Sequence, residues 1–115
     1  MKTIIAGSRT IENYKLVEDA VNKCGWKPTI VVSGCARGVD KLGEEWASNH
    51  GKVIEKYPAD WDKYGKRAGF LRNERMADNA EALILIWDGE SKGSQMMLSI
   101  AKKKGLKIYE FKLEY

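Results

Sequence analysis

Five short apolar runs, at about residues 2–6, 29–33, 52–56, 82–87 and 107–112, alternate along this chain with segments whose apolar residues recur at helical spacing. The helical patterns fall at about 11–24, 39–50, 66–80 and 93–104. The first carries Tyr14, Val17, Ala20, Val21 and Cys24 on one face. The second runs into a stop at Gly51. The last carries Met96, Met97, Ile100 and Ala101 and stops at Gly105. Strands separated by single helices must run parallel, because each helix carries the chain back to the starting edge. A parallel sheet also needs both faces covered. Right-handed crossovers then leave one simple solution: an α/β, three-layer αβα Rossmann-like fold with a five-stranded parallel sheet in order 3-2-1-4-5.

The 115 residues are expected to form one domain over 1–115. Hydrophobic residues make up 43% and charged residues 31%, a balance that excludes a disordered chain. No apolar run is long enough to span a bilayer. Met1 to Ala6 is cut off by Gly7-Ser8-Arg9, so it reads as a buried strand rather than a leader. A cytoplasmic location without membrane contact is expected. Cys24 and Cys35 form no C-x-x-C pair and His50 stands alone, so no metal site and no cofactor are expected. Cys24 reads as a small core residue. Cys35 reads as a small residue in a tight turn ahead of a thiolate nucleophile. The net charge of +4 admits an anionic ligand, although Lys102, Lys103, Lys104, Lys107 and Lys112 read first as solvated surface.

In open α/β sheets a ligand sits beyond the carboxyl ends of the strands, where the strand order reverses. Here that places the site between the first and fourth strands. The turn after the first strand holds Gly7, Ser8, Arg9 and Thr10. The turn after the second is Ser33-Gly34-Cys35-Ala36-Arg37-Gly38-Val39-Asp40. Its glycines and following helix are expected to leave backbone N–H groups facing an anion, with Arg37 adding a charged donor fork. The turn after the fourth strand runs from Trp87 and Asp88 through Glu90 to Gly93 and Ser94, a second helix N-terminus, with Ser94 as a candidate cap. Asp40 and Asp88 are first read as a helix-start charge and an Asx-turn, and otherwise as acceptors for ribose hydroxyls.

Two further segments belong with these turns. Tyr57 to Gly65 is a long aromatic loop; Trp61 and Tyr64 either cap the sheet or form a lid that stacks on a base. Trp87 is a second candidate for stacking. The third helical pattern is expected to turn Asn73 inward, toward a ligand or a loop carbonyl. It brings Arg72 to the crevice as an anion clamp and leaves Lys66, Arg67 and Arg75 on the surface.

Ile4 to Arg9, Val32 to Asp40, and Asp60-Trp61 through Gly65-Lys66 with Arg72-Asn73-Glu74-Arg75-Met76 resemble the DUF2493 family, of the SLOG superfamily of Rossmann-like nucleotide-binding domains with YspA and cpYpsA-related members. The resemblance implies an MCP/YpsA-like three-layer fold and the binding of nucleotides, nucleotide-derived signals or their nucleic-acid relatives. More distantly the chain is similar to the Lonely Guy phosphoribohydrolases, whose hallmark loop appears here in degenerate form from Asp88 to Met97. Arg72 keeps the position of their arginine, and Met97 stands where they carry a catalytic glutamate. Methionine neither stabilises an oxocarbenium-like centre nor activates water. A nucleoside monophosphate N-glycosidase would therefore have to draw on Asp88 or Glu90, with Arg72. The Ser-Gly-x-Ala-Arg-Gly-Val-Asp turn also resembles that of the DprA family, which implies single-stranded nucleic acid as a partner.

The leading expectation is a module that binds a nucleotide or phosphorylated nucleoside, for sensing or sequestration. Its ligand-binding set is Gly7, Ser8, Arg9, Gly34, Ala36, Arg37, Gly38, Asp40, Trp61, Arg72, Asn73, Asp88, Gly93 and Ser94. Nucleotide hydrolysis and nucleic-acid binding are the alternatives, and pairing of two copies through a sheet edge or helix face stays open.

Overall fold

The computed structural model describes residues 1–113. Five strands, β1 (Lys2–Gly7), β2 (Ile30–Ser33), β3 (Val53–Lys56), β4 (Ala82–Trp87) and β5 (Lys107–Lys112), form one sheet in the order β3-β2-β1-β4-β5. Every neighbouring pair is parallel, as the alternation requires. Thr3 pairs with Val31 on one side and Ala82 on the other, so β1 is the central strand.

Helices α1 (Tyr14–Lys23) and α2 (Val39–Asn49) cover one face; α4 (Ala68–Asp78) and α5 (Lys92–Lys103) cover the other. The division follows from side-chain alternation along each strand. Ile4, Leu83 and Leu85 pack with Met76, Ala77, Met97 and Ala101. Ile5, Ile84 and Ile86 pack with Val17, Val21, Val39 and Trp46. Cys24 belongs to the second cluster, as expected of a small core residue. β4 is buried along its whole length, which is why it reads as an unbroken apolar run.

Helix boundaries depart from the periodicity in three places. α1 starts at Tyr14 rather than near 11, because the Asn13 side chain accepts the Lys15 N–H at 3.1 Å and ends the preceding loop. α5 starts at Lys92, and its cap is Ser91, whose Oγ accepts the Ser94 N–H at 3.3 Å. Gly93 and Ser94 thus lie inside the first turn rather than ahead of it, and Ser94 is not a cap. The pattern over 66–80 resolves into a 3-10 turn (Gly65–Arg67) and α4, and a short helix α3 (Trp61–Tyr64) precedes it within the expected aromatic loop. Gly65 has φ of 57°, a left-handed conformation that ends α3 and re-aims the chain. Part of the expected loop is therefore helical. Among the described residues no helix is long and apolar enough to cross a membrane.

Candidate functional site

The turns after β1, β2 and β4 converge because three backbones approach closely. A Cβ on Gly7 would lie 1.7 Å from the Ile86 carbonyl oxygen, so β1 and β4 meet only with glycine there. Ser8 follows and is buried. Its N–H donates to the Ile86 carbonyl at 3.1 Å, and its Oγ accepts the Asp88 N–H at 3.1 Å. Its carbonyl accepts from Val39 N–H at 3.3 Å, at the start of α2. Gly38, with φ of 78°, lies against this carbonyl; a Cβ there would sit 2.4 Å from it. Ser8 and Gly38 stitch the rim together and line no hollow themselves.

The β2–α2 turn engages several of its own polar groups. Ser33 Oγ donates to Glu44 Oε2 at 2.6 Å and accepts the Cys35 N–H at 3.1 Å. The Ala36 N–H donates to Asp40 Oδ2 at 3.2 Å. The amides of Cys35, Ala36 and Val39 are thus engaged within the protein. Cys35 occupies the tip in a left-handed conformation, φ 65°, and is partly exposed. Gly34 is small because two groups crowd it: a Cβ would lie 2.8 Å from Arg72 Nη1 and 2.9 Å from Asp40 Oδ2.

Arg72 reaches this turn from α4. Its Nη1 donates to the Gly34 carbonyl at 2.6 Å and its Nε to Asn73 Oδ1 at 2.8 Å. Asn73 is turned inward and buried, as its helical phase requires. Burial of the guanidinium lowers the Arg72 pKa, an effect that neighbouring Asp40 opposes. Its remaining N–H groups make no hydrogen bond among the described residues.

Two hollows share Arg9, Ala36 and Arg72. The outer, of about 350 Å³, is lined also by Arg37, Cys35 and Trp61. The inner, of about 130 Å³, is lined also by Gly7, Asp40, Asn73, Gly93 and Ser94. Arg9, Arg37 and Arg72, from three separate segments, therefore border one basin. Trp61 is 52% exposed and stands at its wall, in contact range of Gly69, rather than packed under the sheet. Tyr64 is also exposed, so neither aromatic is a buried cap. Lys66, Arg67 and Arg75 are on the surface.

Asp40 is the carboxylate that lines the inner hollow. It is 6% exposed, and burial pushes its pKa up to about 6, with the Ala36 N–H, Arg72 and Arg9 pulling in the opposite direction. Asp88 and Glu90 border neither hollow. Asp88 closes an Asx-turn, its Oδ1 accepting the N–H groups of Glu90 at 2.8 Å and Ser91 at 3.0 Å, and these bonds hold its pKa below the usual value. Glu90 is exposed. Trp87 is in the core with Nε1 donating to Glu110 at 2.8 Å, so it offers no face for stacking. Outside the expected ligand-binding set, Ala6, Cys35, Pro58, Ala59, Met76, Ser91 and Met97 also line the two hollows. Pro58 and Ala59 belong to the loop flagged by its length. Met76 looks like an ordinary core residue, and no local signal separates it from one; Met97 is marked only by the resemblance, at the place of a catalytic glutamate.

The model of a family described as YspA, cpYpsA-related SLOG matches residues 1–64. The Gene 61 protein of Mycobacterium phage D29 is 31% identical over 119 residues, an alignment that takes in 96% of this chain and 95% of the phage protein. Among solved structures, DNA processing protein A (DprA) from Streptococcus pneumoniae has the same fold, with a TM-score of 0.77 at 18% identity. That match covers 95% of this chain and 49% of DprA, so the chain spans about half of that protein.

Proposed function

The chain belongs to the YspA, cpYpsA-related SLOG family, and from that premise we propose that residues 1–115 act as a single domain that binds a nucleotide or phosphorylated nucleoside at the C-terminal rim of its sheet. Membership points to nucleotide-related binding or processing. The observation that carries the finer reading is the convergence of Arg9, Arg37 and Arg72 on one basin walled by Trp61. Arginine forks pair bidentately with phosphate oxygens. An exposed indole offers a face for a base. A volume of about 350 Å³ is in the range of small-molecule sites. The role is sensing or sequestration rather than hydrolysis, since the carboxylates of the N-glycosidase alternative, Asp88 and Glu90, stand outside both hollows. A cytoplasmic location fits this ligand class and the two free cysteines.

The test is thermal unfolding with a panel of nucleoside mono-, di- and triphosphates. A ligand at a hundred times its dissociation constant adds about 2.7 kcal/mol. A shift that Arg37→Ala abolishes supports the proposal; no shift from any member of the panel overturns it.

Single-stranded nucleic acid is the second reading. A third hollow of about 240 Å³, lined by Tyr57, Tyr64 and Arg75 together with Asp60, Glu74 and Asp78, shares Pro58 and Arg72 with the outer basin. The rim is thus longer than one nucleotide needs, and the structural neighbour is named for DNA processing. This reading expects affinity for an oligonucleotide that falls steeply with added salt. A salt-independent or absent mobility shift rejects it.

A further inference from the structure

The inner hollow holds three buried polar side chains with unused hydrogen-bonding capacity. Ser94 is 5% exposed, and its Oγ makes no hydrogen bond among the described residues. Asp40 uses Oδ2 for the Ala36 N–H, while its Oδ1 has no protein partner among them. Asn73 Nδ2 has only the Met96 sulfur, at 3.7 Å. Every fully buried side-chain polar atom among the described residues is partnered, so these free groups are ones that the hollow leaves open to water or a ligand. These three border one space of about 130 Å³, floored by Met76 and Met97.

The charges sort the two hollows. The outer basin is bordered by three arginines and suits phosphate. Arg9 and Arg72 border the inner hollow too, but Arg37 does not, and there the Asp40 carboxylate weighs against phosphate. It accepts a hydrogen bond, while the Asn73 amide donates and the Ser94 hydroxyl does either. The complement of that set is a pair of neighbouring hydroxyl groups, each both donor and acceptor. The space has room for a few waters or a sugar ring, and none for a base as well.

We propose that the inner hollow is a sugar subsite, in which Asp40, Asn73 and Ser94 recognise the vicinal hydroxyls of a ribose whose 5′-phosphate lies among Arg9, Arg37 and Arg72. The proposal rests on the nucleotide-binding reading above and makes it specific: the ligand is a ribonucleotide, and Asp40 sets the discrimination against the 2′-deoxy form. A hydrogen bond lost from a buried charged acceptor costs roughly tenfold or more in affinity.

The experiment is calorimetric titration with paired probes: ribose 5-phosphate against 2-deoxyribose 5-phosphate, and the four ribonucleoside monophosphates against their deoxy forms. The wild type should bind the ribo member at least tenfold more tightly. Asp40→Asn keeps an acceptor for the Ala36 N–H, and Ser94→Ala removes only the hydroxyl. Each should narrow the ribo-to-deoxy affinity ratio toward one, the ribo form losing more than the deoxy form. Circular dichroism confirms that the variants fold. Binding without sugar preference, or equal loss for both sugars in the variants, overturns the subsite while the nucleotide reading survives. Failure of every probe, ribo and deoxy alike, overturns both. Ordered water alone in the hollow of a crystal soaked with ribose 5-phosphate counts against the subsite in the same way.

Discussion

Arg72 Nη1 donates to the carbonyl oxygen of Gly34 at 2.6 Å, joining helix α4 to the turn after β2 across the top of the sheet. One guanidinium thereby shapes the ligand basin and ties two layers together. Arg72→Ala leaves the Gly34 carbonyl and the Asn73 side-chain oxygen without their donor. A stability loss of about 1–3 kcal/mol is expected in urea titration, together with loss of phosphate binding. Arg72→Lys should recover part of the stability and little of the binding, since an ammonium cannot serve two fixed acceptors and a ligand at once.

Gly38 and Gly51 both have positive φ, 78° and 66°, yet they should respond differently to alanine. A Cβ on Gly38 meets the Ser8 carbonyl at 2.4 Å, whereas a Cβ on Gly51 meets nothing within 4 Å. Gly51→Ala pays only the backbone strain, on the order of 1 kcal/mol. Gly38→Ala adds a backbone clash and should cost several times as much, or abolish folding. Denaturant midpoints of the two variants measured side by side decide this.

Asp40 gives stability a pH dependence of unusual sign for an acidic residue. Burial raises its folded pKa to about 6, above the unfolded value of 3.8. Between these values the native state holds the proton more tightly than the unfolded chain does. This contribution is therefore complete below pH ~4 and is lost as pH rises through ~6, amounting to about 3 kcal/mol. Asp88 and Glu55, with lowered pKa values, contribute in the opposite direction. Asp40→Asn isolates the effect. Its stability relative to wild type should rise between pH 4 and pH 7 in chemical denaturation; a constant difference rejects the assignment.

What could be read from the chain, and what could not, divides along the range of the forces involved. Strand order followed from apolar runs such as Ala82 to Trp87 and from the handedness of crossovers, both properties of the whole chain. The meeting of Arg9, Arg37 and Arg72 followed from that order. Roles decided by one contact were not legible. Ser91 and Ser94 are equally good caps in sequence, and only the position of the helix axis puts Ser91 at the start and Ser94 in the hollow. The close approach of Gly38 to the Ser8 backbone is set by the fold and leaves no mark in the sequence. Asp40 looked like a helix-start charge. Its turn toward Ala36 and its burial depend on Gly34 leaving room.

Trp61 separates binding from folding most cleanly. It is 52% exposed, and the short helix α3 that carries it contains no buried residue. Trp61→Ala should therefore change stability by no more than about 0.5 kcal/mol. If the indole stacks on a base, the same substitution weakens nucleotide binding by about 1–3 kcal/mol. It should leave ribose 5-phosphate, which has no base, bound as before. Titration of both ligands against both proteins gives the answer: a loss confined to the nucleotide assigns the base to the Trp61 wall. Equal loss for both ligands means that Trp61 only shapes the basin, and no loss for either places the base elsewhere on the rim.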